Sequence, residues 1–171
     1  LAADSVFANR EVVAGGLEWL VGHDVTLKAD TTVTGAMGGS HIGLLRIVSA
    51  EGQIDFAGQD FDVADGHLVL SAALGLTDTI RSRAQTLTVV NRGVGGRANV
   101  TVREVDGLTI LDDGLPDGGV YTVNGTIDIE LAGQDALLTL ASGVISTAAS
   151  GQSIRLIADD FDFSSGEKSI T

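Results

Sequence analysis

Aspartates at a fixed place in a recurring phrase are the residues of this sequence with the clearest capacity for chemistry. The phrase has the form I-x-h-x-G/A-x-D-x-x-h, where h is a large apolar residue, and its fullest copies begin at residues 54, 129 and 154. These starts are 75 and 25 residues apart, and the acidic position holds Asp60, Asp135 and Asp160. If the copies stack, the carboxylates could bridge a column of Ca²⁺ ions, because Ca²⁺ prefers oxygen ligands.

The same aspartates have a second interpretation as turn residues. Degenerate copies begin at residues 25, 80 and 102 and place Asp30, Thr86 and Asp106 in the acidic position; the last has Glu104 where an apolar residue is expected. Carboxylates stacked about 4.8 Å apart would repel each other by about 1 kcal/mol per pair in water. An Asx turn, in which the carboxylate accepts backbone N–H groups, offsets this repulsion. Thr86 favours the turn, since threonine is a poor Ca²⁺ ligand.

A second group of acids lies in one loop, residues 112–119, with the sequence DDGLPDGG. Asp112, Asp113 and Asp117 are further Ca²⁺ candidates, but the loop lacks the D-x-D-x-D-G spacing and the closing Glu of an EF-hand. We therefore predict a solvated loop that protrudes from the fold, with no bound cofactor and with Ca²⁺ as the alternative.

Carboxylates could also serve carbohydrate chemistry, which uses paired acids on one face of a binding groove. The outward-facing candidates are Asp55, Asp62, Glu130 and Arg155. Glu130 and Arg155 are 25 residues apart, so the repeat predicts that they are neighbours on adjacent strands, where a cross-strand charge pair is the favoured interpretation. No aromatic platform for sugar rings accompanies them, and the three histidines lack metal-ligand spacing. The sequence predicts no catalytic residues.

The elements that must position these side chains are short strands. Ile54 and Phe56, then Phe61 and Val63, alternate with other residues at period two, which is typical of strands with one buried face. The Gly-, Ala- and Asx-rich pieces between them are turns. A unit of about 25 residues cannot bury its apolar side alone, so units must stack. We predict an all-β fold, a parallel β-helix (β-solenoid) of six to seven coils, with an antiparallel sandwich or barrel as the alternative.

Composition narrows the class of protein. The 171 residues include 23 Gly and one Pro, which suits a stacked backbone with many tight corners. The chain has no Cys, so disulfides and thiolate metal sites are excluded. A formal net charge of −13 disfavours binding to nucleic acid or to an anionic membrane surface. No run approaches 18 apolar residues, so this segment is not expected to insert into a membrane.

One stretch, residues 72–110, resembles a unit of very large bacterial surface proteins with β-strand repeats. That unit has the sense A-L-G-I…L-T-x-x-N-x-G-x-G-x-I-x-V-x-E-x-D-G-L-T-I. The matching positions here are Leu87, Thr88, Asn91, Gly93, Gly95, Val100, Val102, Glu104 and Asp106 to Ile110. The phrase SIRLIADDFDFSSGEKSIT, residues 153–171, is similar to the coils of filamentous-haemagglutinin-like adhesins. The resemblance implies a right-handed parallel β-helix that is exported to the cell surface.

These observations together predict a non-enzymatic structural or adhesive segment of an exported bacterial surface protein. We expect residues 1–171 to be a single solenoid segment of a longer repeat array, located outside the cell. Its expected partners are neighbouring repeats or copies of itself, because the open ends of a solenoid template further pairing, and cell-surface glycans or partner cells. The alternatives are a carbohydrate-active β-helix and a Ca²⁺-dependent assembly module.

Overall fold

The computed structural model describes residues 5–7, 12–13, 17–21, 24–27, 31–34, 44–142, 144–163 and 169–171. Within these residues the chain forms strands and one short 3₁₀ helix, Gly95–Arg97. The strands are β1 (Ser5–Phe7), β2 (Val12–Val13), β3 (Leu17–Val21), β4 (Val25–Leu27), β5 (Thr31–Thr34), β6 (Leu44–Ser49), β7 (Gln53–Asp55), β8 (Asp60–Ala72), β9 (Gly75–Thr77), β10 (Ile80–Asn91), β11 (Val100–Glu104), β12 (Leu108–Ile110), β13 (Gly119–Thr122), β14 (Ile127–Leu131), β15 (Leu137–Leu140), β16 (Val144–Thr147), β17 (Ile154–Ile157), β18 (Asp160–Asp162) and β19 (Ser169–Ile170).

Parallel ladders stack these strands on three faces. The first face carries β1, β4, β7 and β9. The second carries β2, β5, the start of β8, the start of β10, β11, β14 and β17. The third carries β3, β6, the end of β8 and the end of β10, and continues as the pairs β12/β13, β15/β16 and β18/β19.

This arrangement is a parallel β-solenoid, so the predicted fold class is confirmed. It has about five turns, slightly fewer than the six to seven predicted. The degenerate copy at residue 25 contributes β4 and β5 to the solenoid, and its acidic position, residue 30, lies outside the described residues.

The core is a set of inward-pointing columns built from equivalent positions of successive turns. On the third face Leu45, Leu68 and Leu87 stack in register, and all three are fully buried. On the second face Val102 pairs with Ile129 in the same way. Each such side chain contributes about 1.5–3 kcal/mol of burial free energy. Because every level is covered by the next, the apolar alternation predicted from the sequence becomes one continuous core.

The cross-section of the solenoid changes after β10. The first face ends at β9, where Gly75 packs against Gly93 and Arg97 of the following corner. From there the third face is built from two strands per turn, since the end of β10 pairs with both β12 and β13. A single long strand can therefore accept two shorter strands of the next turn side by side.

Gly119 gives a test of how tightly adjacent turns approach. It begins β13 with φ +108°, and a Cβ there would overlap the backbone of Val144 on the next strand. Gly119→Ala is expected to lower the free energy of unfolding by at least about 3 kcal/mol, because both backbones are held by the ladder. Gly95→Ala is the control, since φ is +63° but nothing lies within 4 Å; about 1 kcal/mol is expected. Equal losses in urea titrations would contradict the steric explanation.

Candidate functional site

The recurrent aspartates do not form the single column that the sequence predicts. Ladder register places Arg81 opposite Asp60 and Leu137 opposite Asp160. Asp106 and Asp135 lie in exposed turns, and Asp30 lies outside the described residues. Within the described chain no group of three or more histidine or acidic side chains is arranged to hold a metal ion. The geometry therefore does not bring the carboxylates together as a row of Ca²⁺ ligands would require.

The column fails because the same phrase forms two different corners. The copy at residue 54 joins the first face to the second, since Ile54 pairs with Leu76 of β9. The copy at residue 129 joins the second face to the third, since β14 lies on the second face and β15 on the third. The copy at residue 154 turns the same corner, but Ile129 pairs with Leu156 and not with Ile154. The phrase therefore predicts that a corner forms, but it does not predict which two faces the corner joins.

Corner hydrogen bonds to backbone N–H groups are made by Asp160, which was assigned to a turn, and by Asp55, which was not. Asp55 accepts the backbone N–H of Ala57 at 3.0 Å and the hydroxyl of Thr77 at 2.8 Å. Ala57 has φ +48° at this corner, and Asp135 has φ +57° at its own. Asp160 accepts the N–H of the next residue at 2.8 Å. An Asx turn therefore forms at Asp55, two residues before the positive-φ residue Ala57.

The acidic loop was predicted to be solvated and to protrude from the fold. Residues 112, 114, 116 and 117 are exposed, but the predicted protrusion is wrong. Asp113 forms an ion pair with Arg46 at 2.9 Å, 67 residues earlier in the chain, and its side chain is only 8% exposed. Arg92 donates to Asp117 at 3.0 Å and to the carbonyl of Pro116 at 3.3 Å. The loop therefore folds back over the outer surface of the third face. We call residues 111–118, with these two arginine contacts, the clasp.

Side chains that point outward beneath the clasp are buried. Val69, Thr88 and Val90 are on the outer side of the third face by alternation, yet all three are fully buried. Thr88 donates its hydroxyl hydrogen to the carbonyl of Leu111 at 2.5 Å. The clasp thus gives the solenoid a small second core outside its main one, and period-two analysis alone could not find it.

His67 also belongs to this outer cluster. Thr88, His67 and Asp113 are a hydroxyl residue, a histidine and an acid, which are the residue types of a hydrolytic triad. Its Nε2 lies 3.0 Å from Thr88 Oγ1. Burial lowers the pKa of His67, while the charge of Asp113 raises it and that of Arg46 lowers it further. Since the single hydroxyl hydrogen of Thr88 goes to Leu111, His67 Nε2 must donate to Oγ1. That polarity is opposite to the one a general base needs, and the buried Thr88 is closed to a substrate.

Calcium is expected to leave the stability of the protein unchanged. Asp112 Oδ1 already accepts the N–H of Gly114 at 2.8 Å, and Asp113 and Asp117 are paired with arginines. We expect thermal unfolding in excess CaCl₂ and in excess EDTA to agree within about 2 °C, since a ligand that binds the folded state at saturation would shift the midpoint further. MgCl₂ at equal ionic strength is the control. A rise confined to Ca²⁺ would restore the metal hypothesis for these aspartates.

Charged side chains on the second face form a four-membered network across three strands. Asp128 lies 3.1 Å from Arg103 and 3.0 Å from Arg155, and Glu130 lies 3.4 Å from Arg103 and 3.8 Å from Arg155. Partial burial raises the pKa of Asp128, but the two arginines lower it below its usual range. The predicted proximity of Glu130 and Arg155 is confirmed. Asp62 lies on β8, two ladders from β11, in register with Arg83 of β10.

A polar corner inside the solenoid accounts for several residues of the resemblance. Asn91 is fully buried, and its Nδ2 donates to the carbonyls of residues 97, 98 and 99 at 2.9–3.1 Å. Its Oδ1 accepts the N–H of Gly93 at 2.9 Å. Thr122, the next residue in the same column, donates to the carbonyl of Ala98. One amide side chain therefore fixes the corner that closes the first face.

Glu104 is the most perturbed ionisable group in the described chain. It lies 1% exposed at the end of β11, inside a column that also holds Phe61, Ser82 and Leu131. Its carboxyl accepts from the Ser82 hydroxyl at 2.5 Å and from the N–H groups of Ala84 at 3.1 Å and Val105 at 2.9 Å. Burial raises its pKa to about 7, although these hydrogen bonds lower it. The sequence signalled the site as an acid in an apolar position.

A scan against known protein families and searches among curated proteins and solved structures found no match to this chain. No helix in the described residues is long and apolar enough to cross a membrane. Each polar cluster described above joins strands or loops of different turns of the solenoid through hydrogen bonds or ion pairs.

Proposed function

We propose that this chain is a structural segment of an exported bacterial surface protein, acting as part of a shaft, fibre or extracellular filament. The observation that carries the proposal is the set of parallel ladders that run through successive turns on the second and third faces. Mechanical extension or proteolysis of a turn requires many backbone hydrogen bonds to break together, because strands on more than one face hold each turn.

The chemistry of the polar clusters supports a role as a scaffold. The clasp, the second-face network and the Asn91 corner use their side chains to connect turns of the solenoid. For carbohydrate chemistry the strongest pair on the second face is Asp128 and Glu130, and both are engaged by arginines. A general acid needs a raised pKa, whereas the pKa of Asp128 is lowered.

The resemblance of residues 72–110 to repeats of bacterial surface proteins supports the location. In this chain that stretch covers β9, β10, the Asn91 corner and β11 to β12. The net charge of −13 suits an exposed, hydrated surface. Export and adhesion to glycans or partner cells belong to the same proposal.

Antibody labelling of intact cells that produce the protein tests this function. Antibodies raised against the purified segment are expected to label unpermeabilised cells, and external protease is expected to remove most of the label. An antibody against a cytosolic protein is the control for cell integrity. Label that requires permeabilisation would place the protein inside the cell and overturn the proposal.

A further inference from the structure

The clasp is joined to the rest of the solenoid by few backbone hydrogen bonds. In the described chain these lie at its two ends, with N···O distances of 3.2 Å at Leu111 and 3.3 Å at Gly118. Between the ends, side-chain contacts tie residues 112–117 to the solenoid, and these include the ion pairs with Arg46 and Arg92. A segment held in this way can open locally while the ladders of β12 and β13 on either side stay intact.

The surface beneath the clasp is apolar, unlike the charged outer surface of the second face. Val69 and Val90 point outward and are fully buried. The outward positions of the second face carry Arg81, Arg103 and Glu130, which are exposed or partly exposed. The clasp therefore decides whether an outward-facing apolar surface is open to solvent.

His67 lies beneath the clasp and can change its charge in mild acid. Its Nε2 donates to Thr88 Oγ1 at 3.0 Å, and its ladder neighbours on β6 and β10 are uncharged. The charged groups that face it are Asp113 of the clasp and Arg46 of β6. Burial and the charge of Arg46 oppose a positive imidazole, while Asp113 favours one, and the net effect lowers the pKa of His67.

Proton uptake by His67 favours the open clasp. While the clasp is closed, the imidazole is buried and its pKa is lowered; once the clasp opens, the imidazole is solvated and its pKa returns towards 6.5. As the pH falls through 6.5, the open form takes up a proton that the closed form does not. The opening equilibrium then rises by up to about ten-fold per pH unit, until the pH falls below the lowered value of the closed form.

The main core responds to acid in the opposite direction. Burial raises the pKa of Glu104 to about 7, so protonation of this carboxyl below neutral pH favours the folded chain. Mild acid therefore weakens the closed clasp while it stabilises the turns beneath, and the opening stays local.

We propose that the clasp is a proton-sensitive cover, which its ion pairs hold closed at neutral pH and which opens in mild acid when His67 becomes positively charged. Its opening exposes the outer apolar surface at Val69 and Val90. This device goes beyond the structural role proposed above, because it makes one surface of the segment depend on the acidity of the surroundings.

Thiol labelling measures the opening directly, because the chain contains no Cys. Val69→Cys places a thiol beneath the clasp, Val102→Cys places one in the main core, and Val94→Cys places one at a site that is 68% exposed. Labelling by 4,4′-dithiodipyridine is followed between pH 7.5 and pH 5.0, and each rate is divided by that of Val94→Cys at the same pH to correct for thiol ionisation. The ratio for Val69→Cys should rise by at least about five-fold as the pH falls, and the ratio for Val102→Cys should not rise.

His67→Gln tests the trigger in the Val69→Cys background. Glutamine can donate to Thr88 but takes up no proton, so the ratio should stay constant within about two-fold over the same pH range. A rise that persists in His67→Gln, or a constant ratio while His67 is present, would overturn the proposal. A parallel rise for Val102→Cys would also overturn it, because the whole solenoid would then be opening. Circular dichroism confirms folding, and Val90→Cys is the second reporter if Val69→Cys is not folded. The purified chain is measured, so the outcome is independent of where the protein acts.

Discussion

Between pH 4 and pH 8, the stability of Glu104→Gln relative to the wild type is expected to rise by about 3 kcal/mol. The carboxyl of Glu104 has a pKa of about 7 in the folded chain and 4.5 as its ordinary value. As the pH rises through 4.5 the unfolded chain releases this proton while the folded chain retains it. The wild type therefore loses stability until the folded carboxyl ionises near pH 7, whereas glutamine has no proton to lose.

Glu104→Gln is also expected to lower the free energy of unfolding by an amount that does not depend on pH. The amide nitrogen of a glutamine at position 104 cannot accept the N–H of Val105, which the carboxyl now does at 2.9 Å, so the variant should lose about 1–2 kcal/mol at every pH. Urea titrations at several pH values measure the difference. Glu51→Gln replaces an exposed glutamate, and its difference from the wild type should stay within about 0.5 kcal/mol. A constant difference for Glu104→Gln would show that this carboxyl is not held protonated.

Asn91→Asp is expected to lower the free energy of unfolding by at least about 4 kcal/mol at neutral pH, although the two side chains have nearly the same shape. The Nδ2 group that donates to three backbone carbonyls would become an oxygen. Each buried acceptor left without a donor costs about 1–3 kcal/mol, and a buried carboxylate facing carbonyl oxygens costs more.

Asn99→Asp supplies the matched control for this substitution. Asn99 is exposed, and its Oδ1 accepts the N–H of Thr126 at 3.0 Å, which a carboxylate can also do. We expect a change within about 0.5 kcal/mol. If the two variants lose similar stability in chemical denaturation, then the Asn91 amide does not hold the corner together.

The sequence was sufficient to predict strands, parallel stacking and the neighbourhood of Glu130 and Arg155, because these follow from alternation and repeat length. It was not sufficient for register. Leu156, and not Ile154, pairs with Ile129, since corners of different length separate equal phrases. The register of two paired strands depends on how the corners between them pack. A single copy of the phrase does not predict that packing.

The clasp was beyond prediction for a different reason. The ion pair of Asp113 joins residues 67 positions apart, and nothing local to the acidic loop distinguishes a protruding loop from one that folds back. Glu104 was partly visible as an acid in an apolar position. Its partners Ser82 and Ala84 come from the preceding turn, so its protonation could be inferred only after the turns were placed together.

The clasp has a consequence for how the rod would come apart under tension. In a simple solenoid each turn contacts only its neighbours, so pulling on one terminus can peel turns away singly, each with a small resistance. The pair Arg46 and Asp113 connects β6 to a loop that follows β12, across the intervening strands β8 and β10. If turns detach one by one from the C-terminal side, the last turns separate first and the ion pair of Arg46 and Asp113 is reached after them. The turns it spans should then rupture as one block, which would act as a mechanical stop within an otherwise sequential unzipping.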